Sequence, residues 1–377
     1  MVACILATPT GRCLGQETAS HWRLASAPDV RIGGPSGNLS AVSGVVVLPD
    51  ESIAVIQPQD KEIRVFGPRG DPVGTLGRPG SGPGEFRDML RYGVSGNLIW
   101  VWDRSLARMT LATSQGKFVS TSPFSAASTA SDSPKASWLP VVGRFPNGDL
   151  LTVGFPAPSQ VPKWASLSGV QSILARFSPG GTFQRVYLTV PETSECLLMT
   201  GNVQIAVPEC ATAVEAHAPD GSSAVVITSS IGRGTNGTIT VVGHSEAKES
   251  TFVRTFPFTG VPLRGAVADS VRHAASATSS SAVVERIMTM PLPPVLRPAR
   301  RALIGMDGSA WILLSSIGAN TSWVILDRQG RMVGSLDVPR SFRILAAREG
   351  TVWGVDTDEN GIESVLRYKL ERSRPQR

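Results

Sequence analysis

Three aspartates occupy matching places in the chain, and carboxylates placed in this way could hold a metal ion. Each follows an apolar run and begins a polar turn; they are Asp60, Asp103 and Asp356. Carboxylate oxygens are the ligands that Ca²⁺ prefers in proteins. Aspartate is also common at the start of a turn, because its side chain accepts hydrogen bonds from the turn backbone. We favour the turn role and predict no cofactor, and we keep a divalent cation such as Ca²⁺ at these residues as the alternative.

Histidine and serine chemistry has little support in the sequence. The four histidines, His21, His217, His244 and His273, are dispersed, and only His217 falls on a strand that we predict to be innermost. A zinc site would need several of them together. The chain contains no Gly-x-Ser-x-Gly nucleophile motif and no Cys-x-x-Cys pair. We therefore assign no catalytic residue and favour a role that is not enzymatic.

Two of the four cysteines are close enough in sequence to form a disulfide. Cys196 and Cys210 would close a short loop. A structural disulfide requires an oxidising compartment, such as the periplasm or the exterior of the cell. Two unpaired thiols are the other interpretation, and the sequence does not choose between them.

Two tryptophans and three arginines are the candidates for ligand binding. Trp138 and Trp164 lie in predicted loops, where a tryptophan could recognise a partner. Each could instead pin its own loop to the body of the protein. Arg78, Arg87 and Arg264 fall at predicted junctions between sheets, on the same side of the molecule. They could face an acidic ligand or pair with nearby carboxylates.

Charge and hydropathy limit the partners that this chain could have. The net charge is +6 but the arginines are scattered, with no run of basic residues, so a nucleic-acid partner is not favoured. No apolar stretch reaches the roughly 18 residues of a transmembrane helix. Residues 1–21 read as a leader or a disordered terminus, because the apolar run at Val2–Ala7 lacks the preceding basic residues of an export signal. We expect an exported monomer, periplasmic or extracellular, whose signal sequence is incomplete.

The elements that would position these residues follow from an internal repeat. An apolar run, a tight polar turn and a second apolar run recur six times, with the turns centred on Glu51, Gly96, Gly148, Gly221, Gly308 and Gly350. A second hairpin follows most copies, so each unit has four short antiparallel strands. Such units, repeated six times, predict a six-bladed β-propeller over residues 22–371. Residues 372–377 would form a disordered tail.

The repeat also predicts how the ring closes and where its long loops lie. The last copy offers three strands, and we expect Trp22–Ile32 to supply the fourth, which would remove an open edge. With strands A to D counted from the axis outward, the long segments are B–C or D–A connections, at 121–138, 155–171, 191–210 and 264–299. All project from one face, and insertions on one face of a repeat protein often mark its binding side. Helical spacing within 264–299 predicts a helical insertion before the fifth blade.

The glycine-rich stretch GRPGSGPGEF, residues 77–86, is the D–A connection between the first two predicted blades. A phosphate loop would continue into Lys-Ser/Thr and a helix, whereas this stretch leads into a strand. Pro79 and Pro83 also lack the amide donors that a phosphate nest would use. We therefore interpret the stretch as architecture, with Phe86 buried between blades.

Together with the segment QDKEIRVFGPRG, this stretch gives the chain a family resemblance. It resembles the bacterial six-bladed β-propellers related to NHL-repeat and TolB-like proteins, over most of residues 22–371 and most closely in blades one, two, five and six. The resemblance implies a binding or scaffold role on the B–C/D–A face, with a protein, peptide or small molecule as the partner.

Two other functions stay open. Lactonases of the gluconolactonase type resemble this fold and hold a divalent cation in the central channel. This likeness makes a metal-dependent hydrolase the first alternative, although we find no matching glutamate and asparagine on the innermost strands. An NHL-like module that binds RNA or protein is the second.

Overall fold

Short antiparallel strands joined by tight turns make up almost all of the chain. The computed structural model describes residues 20–34, 37, 39–125, 136–156, 170–191, 196–200, 203–232, 234–246, 250–277 and 279–373. The fold is all-β with two helices, and its sheets have a propeller-like arrangement. Most of the predicted leader and tail lie outside the described residues.

Four sheets each contain four strands that follow one another along the chain. The first contains β3 (Gly44–Val47), β4 (Ile53–Gln57), β5 (Glu62–Phe66) and β6 (Pro72–Leu76). The second contains β7 (Met89–Ser95), β8 (Leu98–Asp103), β9 (Arg108–Thr113) and β10 (Phe118–Pro123). The third contains β11 (Ala136–Arg144), β12 (Leu150–Pro156), β13 (Val170–Phe177) and β14 (Phe183–Pro191). The fourth contains β17 (Val214–His217), β18 (Ser223–Ile231), β19 (Asn236–Ser245) and β20 (Ser250–Thr259).

The two ends of the chain meet in a larger sheet. It contains β21 (Ala299–Ile304), β22 (Ala310–Leu314), β23 (Asn320–Leu326), β24 (Met332–Pro339), β25 (Phe342–Arg348), β26 (Thr351–Thr357) and β27 (Glu363–Arg372). The predicted strand at Trp22–Ile32 is in fact two strands, β1 (Ser20–Leu24) and β2 (Val30–Gly33). Both pair antiparallel with β27, and β1 also pairs parallel with β24. The N-terminal residues thus add two strands beside the last three.

All six predicted repeat turns adopt the same backbone conformation. The residue at each aligned position has a positive φ, between 58° and 94°. Five are glycines, which reach this region without steric cost, and the sixth is Glu51 with φ 65°. Glu51 is held by a bidentate ion pair with Arg348, Nη1 to Oε1 at 2.6 Å and Nη2 to Oε2 at 2.8 Å. This pair links the first sheet to the end of β25.

The hydrophobic core of the described residues is divided into six main clusters. Four lie between sheets that are successive along the chain, and one lies between the last strands and the first sheet. The sixth lies within the larger sheet, between strands β21–β24 and strands β25–β27. Large aromatic side chains fill several of them; Trp100, Trp102, Trp311 and Trp353 are completely or almost completely buried. Burying apolar surface at about 25 cal/mol per Å² makes these interfaces the main source of stability.

The stretch at residues 77–86 is structural, as the sequence predicted. Phe86 is fully buried in the cluster between the first two sheets. The Glu85 carboxylate accepts a hydrogen bond from the Gly82 amide, Oε2 to N at 2.7 Å, and pairs with Arg78. Arg108 donates to the carbonyls of Ser81, Gly82 and Glu85. The loop is therefore held in place by the hydrogen bonds of its own Glu85 and Arg78 and of Arg108 on β9.

Two insertions pack on each other. The first, between β14 and β17, contains β15 (Leu197–Thr200) and β16 (Val203–Ala206), and a Cys196–Cys210 disulfide spans this hairpin. The second, between β20 and β21, contains α1 (Ala266–Ser276) and α2 (Ser281–Thr289), inside the predicted helical insertion. Ile205 of the hairpin is buried against Ile287 and Met290 of the helical segment. Both insertions are D–A connections, so they lead directly into the first strands of their sheets.

Candidate functional site

Six polar side chains on four strands, β7, β17, β21 and β25, form the candidate site. The first three of these open their sheets along the chain, and β25 opens the last three strands of the larger sheet; we call all four first strands. First strands lie side by side: β7 packs on β3 and β11, β21 packs on β17 and β25, and β25 packs on β3. The six residues, which we call the inner cluster, are Arg91, Tyr92, Glu215, His217, Arg301 and Arg343. Each lies within the first four residues of its strand, counted from the end reached from a D–A connection, and His217 is also the last residue of the short strand β17. The inner cluster is therefore on the side from which the insertions project.

Tyr92 and Arg343 are fixed at the start of the first sheet. The Tyr92 hydroxyl donates to the Ser43 carbonyl at 2.8 Å, and Arg343 Nη2 donates to the neighbouring Val42 carbonyl at 2.7 Å. The Tyr92 ring lies over Gly44, where an added Cβ would be 2.2 Å from a ring carbon. Glycine at this position is what allows the ring to lie there.

Three positive charges surround the tyrosine. Burial raises the pKa of Tyr92, and the charges of Arg301, Arg91 and Arg343 oppose that rise. Burial also lowers the pKa of Arg301, and the like charge of Arg343 lowers it further. Because β7 and β21 belong to sheets that are not neighbours, the interaction of Tyr92 with Arg301 crosses the space between the first strands.

These arginines are poorly neutralised. Among the described residues, no carboxylate lies within 4.0 Å of the guanidinium of Arg91 or Arg301. Arg343 has only Glu363, at 3.7 Å from Nη2 to Oε1. Like charges held close together raise the free energy of the fold. An anion bound among them would lower it.

Glu215 and His217 add two hydrogen-bond acceptors to the inner cluster. They are two residues apart on β17 and so point to the same face of its sheet. Burial raises the pKa of Glu215, against the opposing effects of the Arg91 charge and a hydrogen bond from Ser172. Burial lowers the pKa of His217 to about 4, helped by Arg91 and opposed by the backbone of Val142. His217 is therefore neutral at pH 7.

Two atoms of this pair are buried without a hydrogen-bond partner in the part of the chain that the structure describes. They are Glu215 Oε2 and His217 Nδ1. The His217 ring donates a hydrogen bond to the Val142 backbone, and this bond favours the protonated form of the ring. In the neutral ring, Nδ1 is then the nitrogen that accepts. Buried polar atoms normally have partners, so an unpartnered pair on one face points to a missing group.

The sequence analysis missed this cluster. It found no glutamate on an innermost strand, and the structure places Glu215 on β17, the first strand of the fourth sheet. The available signal was polar residues at alternate positions of VEAH, where a buried strand would have apolar ones. The arginines gave no linear signal, because they are far apart in sequence.

The three predicted aspartates have separate positions. Asp103 is fully buried, and its carboxylate accepts hydrogen bonds from the amides of Arg87, Asp88 and Leu106, which is the turn role. Asp60 accepts hydrogen bonds from Gln57 and Ser40. Asp356 lies on β26 opposite Phe342. Within the described ranges, no three His, Cys, Asp or Glu residues are grouped so that they could hold a metal ion.

The predicted binding residues are not members of the inner cluster. Trp138 was predicted in an exposed loop, and this is wrong: it lies on β11 and is 7% exposed. Its ring packs on Phe177 with the centroids 4.9 Å apart, because β11 begins at Ala136 and already faces the core at position 138. Trp164 lies outside the described residues. Arg78, Arg87 and Arg264 are exposed on the surface, and Arg78 pairs with Glu85.

Comparisons with known proteins show the fold and nothing finer. No family model and no curated protein matches this chain. Among solved structures, a DUF4221-family protein from Bacteroides vulgatus is similar over 94% of this chain and 99% of its own, at 7% identity and TM-score 0.52. A protein described as exported, from Bacteroides fragilis, matches over 96% and 98% of the two chains, at 10% identity and TM-score 0.48.

An aldose sugar dehydrogenase from Streptomyces coelicolor, in its PQQ-bound form, is also similar. It matches over 94% of this chain and all of its own, at 12% identity and TM-score 0.40. These neighbours include an enzyme as well as a protein named only by its family, so they leave the activity of this chain open. No helix in the described residues is both long and apolar enough to span a bilayer.

Proposed function

We propose that this protein is a non-catalytic binding β-propeller that takes a small anionic ligand in its inner cluster, on the B–C/D–A face. The observation that carries the proposal is the convergence of Arg91, Arg301 and Arg343 from three strands, β7, β21 and β25, without enough carboxylate to neutralise them. Guanidinium groups bind carboxylate and phosphate oxygens through charge-assisted, often bidentate, hydrogen bonds.

The finer architecture belongs to the same proposal. Six apolar clusters support six blades, with the larger sheet counted as two blades, β21–β24 and β25–β27. The pairing of β2 with β27 and the Glu51–Arg348 ion pair support closure of the ring by the N-terminal strands. In such a ring, the second and fifth blades stand on opposite sides, which accounts for the interaction of Tyr92 with Arg301 across the centre.

Electrostatics favours an anion over the divalent cation of the alternative reading. Three guanidinium groups at the centre would repel Ca²⁺, and Asp103 already serves the backbone of its turn. The Cys196–Cys210 disulfide supports an exported protein, because such bonds persist in oxidising compartments.

Calorimetric titration with inorganic phosphate tests the proposal. We expect one site in the wild-type protein and at least about tenfold weaker binding in Arg301→Met, since each charge-assisted contact is worth roughly 1.5–3 kcal/mol. Arg254→Met removes the same charge from the outer strand β20 and should bind phosphate as the wild type does. Equal binding by all three proteins would refute the inner cluster as the anion site.

Metal analysis after dialysis without chelator separates the alternative. A stoichiometric divalent cation would replace this proposal with the metal-dependent hydrolase and send the work to lactone and ester substrates.

A further inference from the structure

We infer that the ligand of the inner cluster is a hydroxylated anion, a small acid that carries hydroxyl groups beside its charged group, and that Glu215 and His217 receive those hydroxyls. This inference rests on the proposed function, because it assumes that the arginines bind the charged group. It adds the chemical class of the rest of the ligand.

The first step concerns what the two unpartnered atoms require. Glu215 Oε2 and His217 Nδ1 are both acceptors, and both are buried without a partner among the residues described. Leaving such an atom unsatisfied costs about 1–3 kcal/mol. A ligand that satisfies both must bring two O–H or N–H donors to one face of β17.

The second step concerns the charge of those donors. Arg91 interacts electrostatically with Glu215 and with His217, so the donors enter beside a positive charge. A ligand ammonium would be repelled there, and a neutral hydroxyl would not. Hydroxyl groups are therefore the donors that fit both the unpartnered acceptors and the neighbouring charge.

The third step joins the two halves of the ligand. Arg91 interacts electrostatically with both Glu215 and His217 and also with Tyr92, and Tyr92 interacts with Arg301 and Arg343. One small molecule can therefore place its anionic group among the arginines and its hydroxyls at β17. Sugar acids and sugar phosphates have this composition.

Two matched ligand pairs test the inference by calorimetry on the full-length protein. Glycerol 3-phosphate and propyl phosphate share a phosphate and a three-carbon chain, and they differ only in hydroxyls. Threonate and butyrate are the corresponding carboxylates. We expect the hydroxylated member to bind at least about tenfold more tightly in one or both pairs, as two added hydrogen bonds would give. Which pair responds tells whether the anionic group is a phosphate or a carboxylate.

The variant Glu215→Leu sharpens the test, since leucine keeps the size of the side chain and removes both oxygens. We expect the preference for the hydroxylated ligand to fall to about threefold or less, while the plain anion keeps or gains affinity because a nearby negative charge is lost. Circular dichroism and the melting temperature establish that the variant is folded. Ser172→Ala, which removes a neighbour of Glu215 but leaves Oε2 in place, should retain the preference.

The possible outcomes separate the two proposals. Equal binding of both members of each pair would overturn the hydroxyl inference and leave the anion site standing. A preference that persists in Glu215→Leu would also overturn the inference. Failure of all four ligands to bind would overturn the proposed function together with the inference.

Discussion

Arginine serves two different purposes in two regions of this molecule. In what we call the outer network, Asp149, Arg176, Arg185 and Glu246, the charges are matched. Arg176 pairs with Asp149 at 2.7 Å from Nη2 to Oδ2 and also with Glu246, and Arg185 Nη2 lies 2.5 Å from Glu246 Oε2. In the inner cluster, Arg301 meets the like charge of Arg343 and a tyrosine.

The difference shows what each region contributes. The outer network joins the third and fourth sheets, and Arg176 also stacks over the Phe145 ring at 4.2 Å. Its hydrogen bonds are complete without any further molecule. The inner cluster holds charge that the protein itself does not neutralise, which costs stability and leaves affinity for an anion.

The largest expected effect comes from breaking the outer network. Arg176→Met would leave Asp149 as a buried carboxylate without an ion-pair partner and Glu246 with Arg185 alone, and we expect a loss of about 3–5 kcal/mol in the free energy of unfolding. Arg301→Met removes a charge that lies near the like charge of Arg343. The free energy of unfolding should therefore change by no more than about 1 kcal/mol, in either direction. Urea unfolding of both variants measures the difference. Similar losses in the two variants would mean that the inner arginines are also structural.

A second comparison uses pH, because the two regions titrate in different windows. The pKa of His217 is lowered from 6.5 to about 4, so the unfolded chain takes up a proton before the folded one as the pH falls. The stability that the folded protein gains by keeping His217 neutral is therefore lost as the pH falls from 6.5 to about 4, at up to about 1.4 kcal/mol per pH unit. The raised pKa of Glu215 acts in the opposite direction.

The outer network should be unaffected in that window. Burial raises the pKa of Asp149, but hydrogen bonds from Asn147 and Arg176 outweigh it, and the pKa lies below the usual 3.8. The stability that the Asp149 carboxylate contributes is present above pH 3.8 and is lost only as the pH falls below it. Urea unfolding at pH 7, 5.5 and 4.5 should show a flatter profile in His217→Gln than in the wild type. If stability falls with pH equally in both proteins, a group other than His217 titrates in this window.

The smallest effect is expected from phosphate as a stabiliser. A ligand that binds only the folded state at ten times its Kd raises stability by about 1.4 kcal/mol. We expect the melting temperature of the wild type and of Arg254→Met to rise with phosphate, and that of Arg301→Met to rise much less. A rise of the same size in all three proteins would indicate a general salt effect.

Much of the fold could be predicted from the sequence, because it depends on local chemistry that repeats. The aligned turns from Glu51 to Gly350 predicted the hairpins, and all six have the positive φ that such turns require. The propeller-like arrangement follows from the same repeat, and the helices between β20 and β21 follow from the helical spacing of the apolar residues there. The Cys196–Cys210 pairing stayed open, because spacing alone does not bring two thiols together.

The candidate site could not be predicted, because topology rather than sequence proximity assembles it. Arg91, Arg301 and Arg343 become neighbours only when the first strands stand around one space. Trp138 was misplaced for a related reason: strand β11 begins two residues before it, and no turn residue marks that boundary. Function was sought in the loops, whereas the unneutralised charge lies on the strands beneath them.

The most direct test of the central claim is to locate a bound anion in a crystal of the wild-type protein soaked in selenate, whose selenium gives an anomalous signal. The account predicts that the strongest anomalous peak lies within hydrogen-bond distance of Arg91, Arg301 and Arg343. A strongest peak at Arg78, Arg87 or Arg264, with none in the inner cluster, would contradict it.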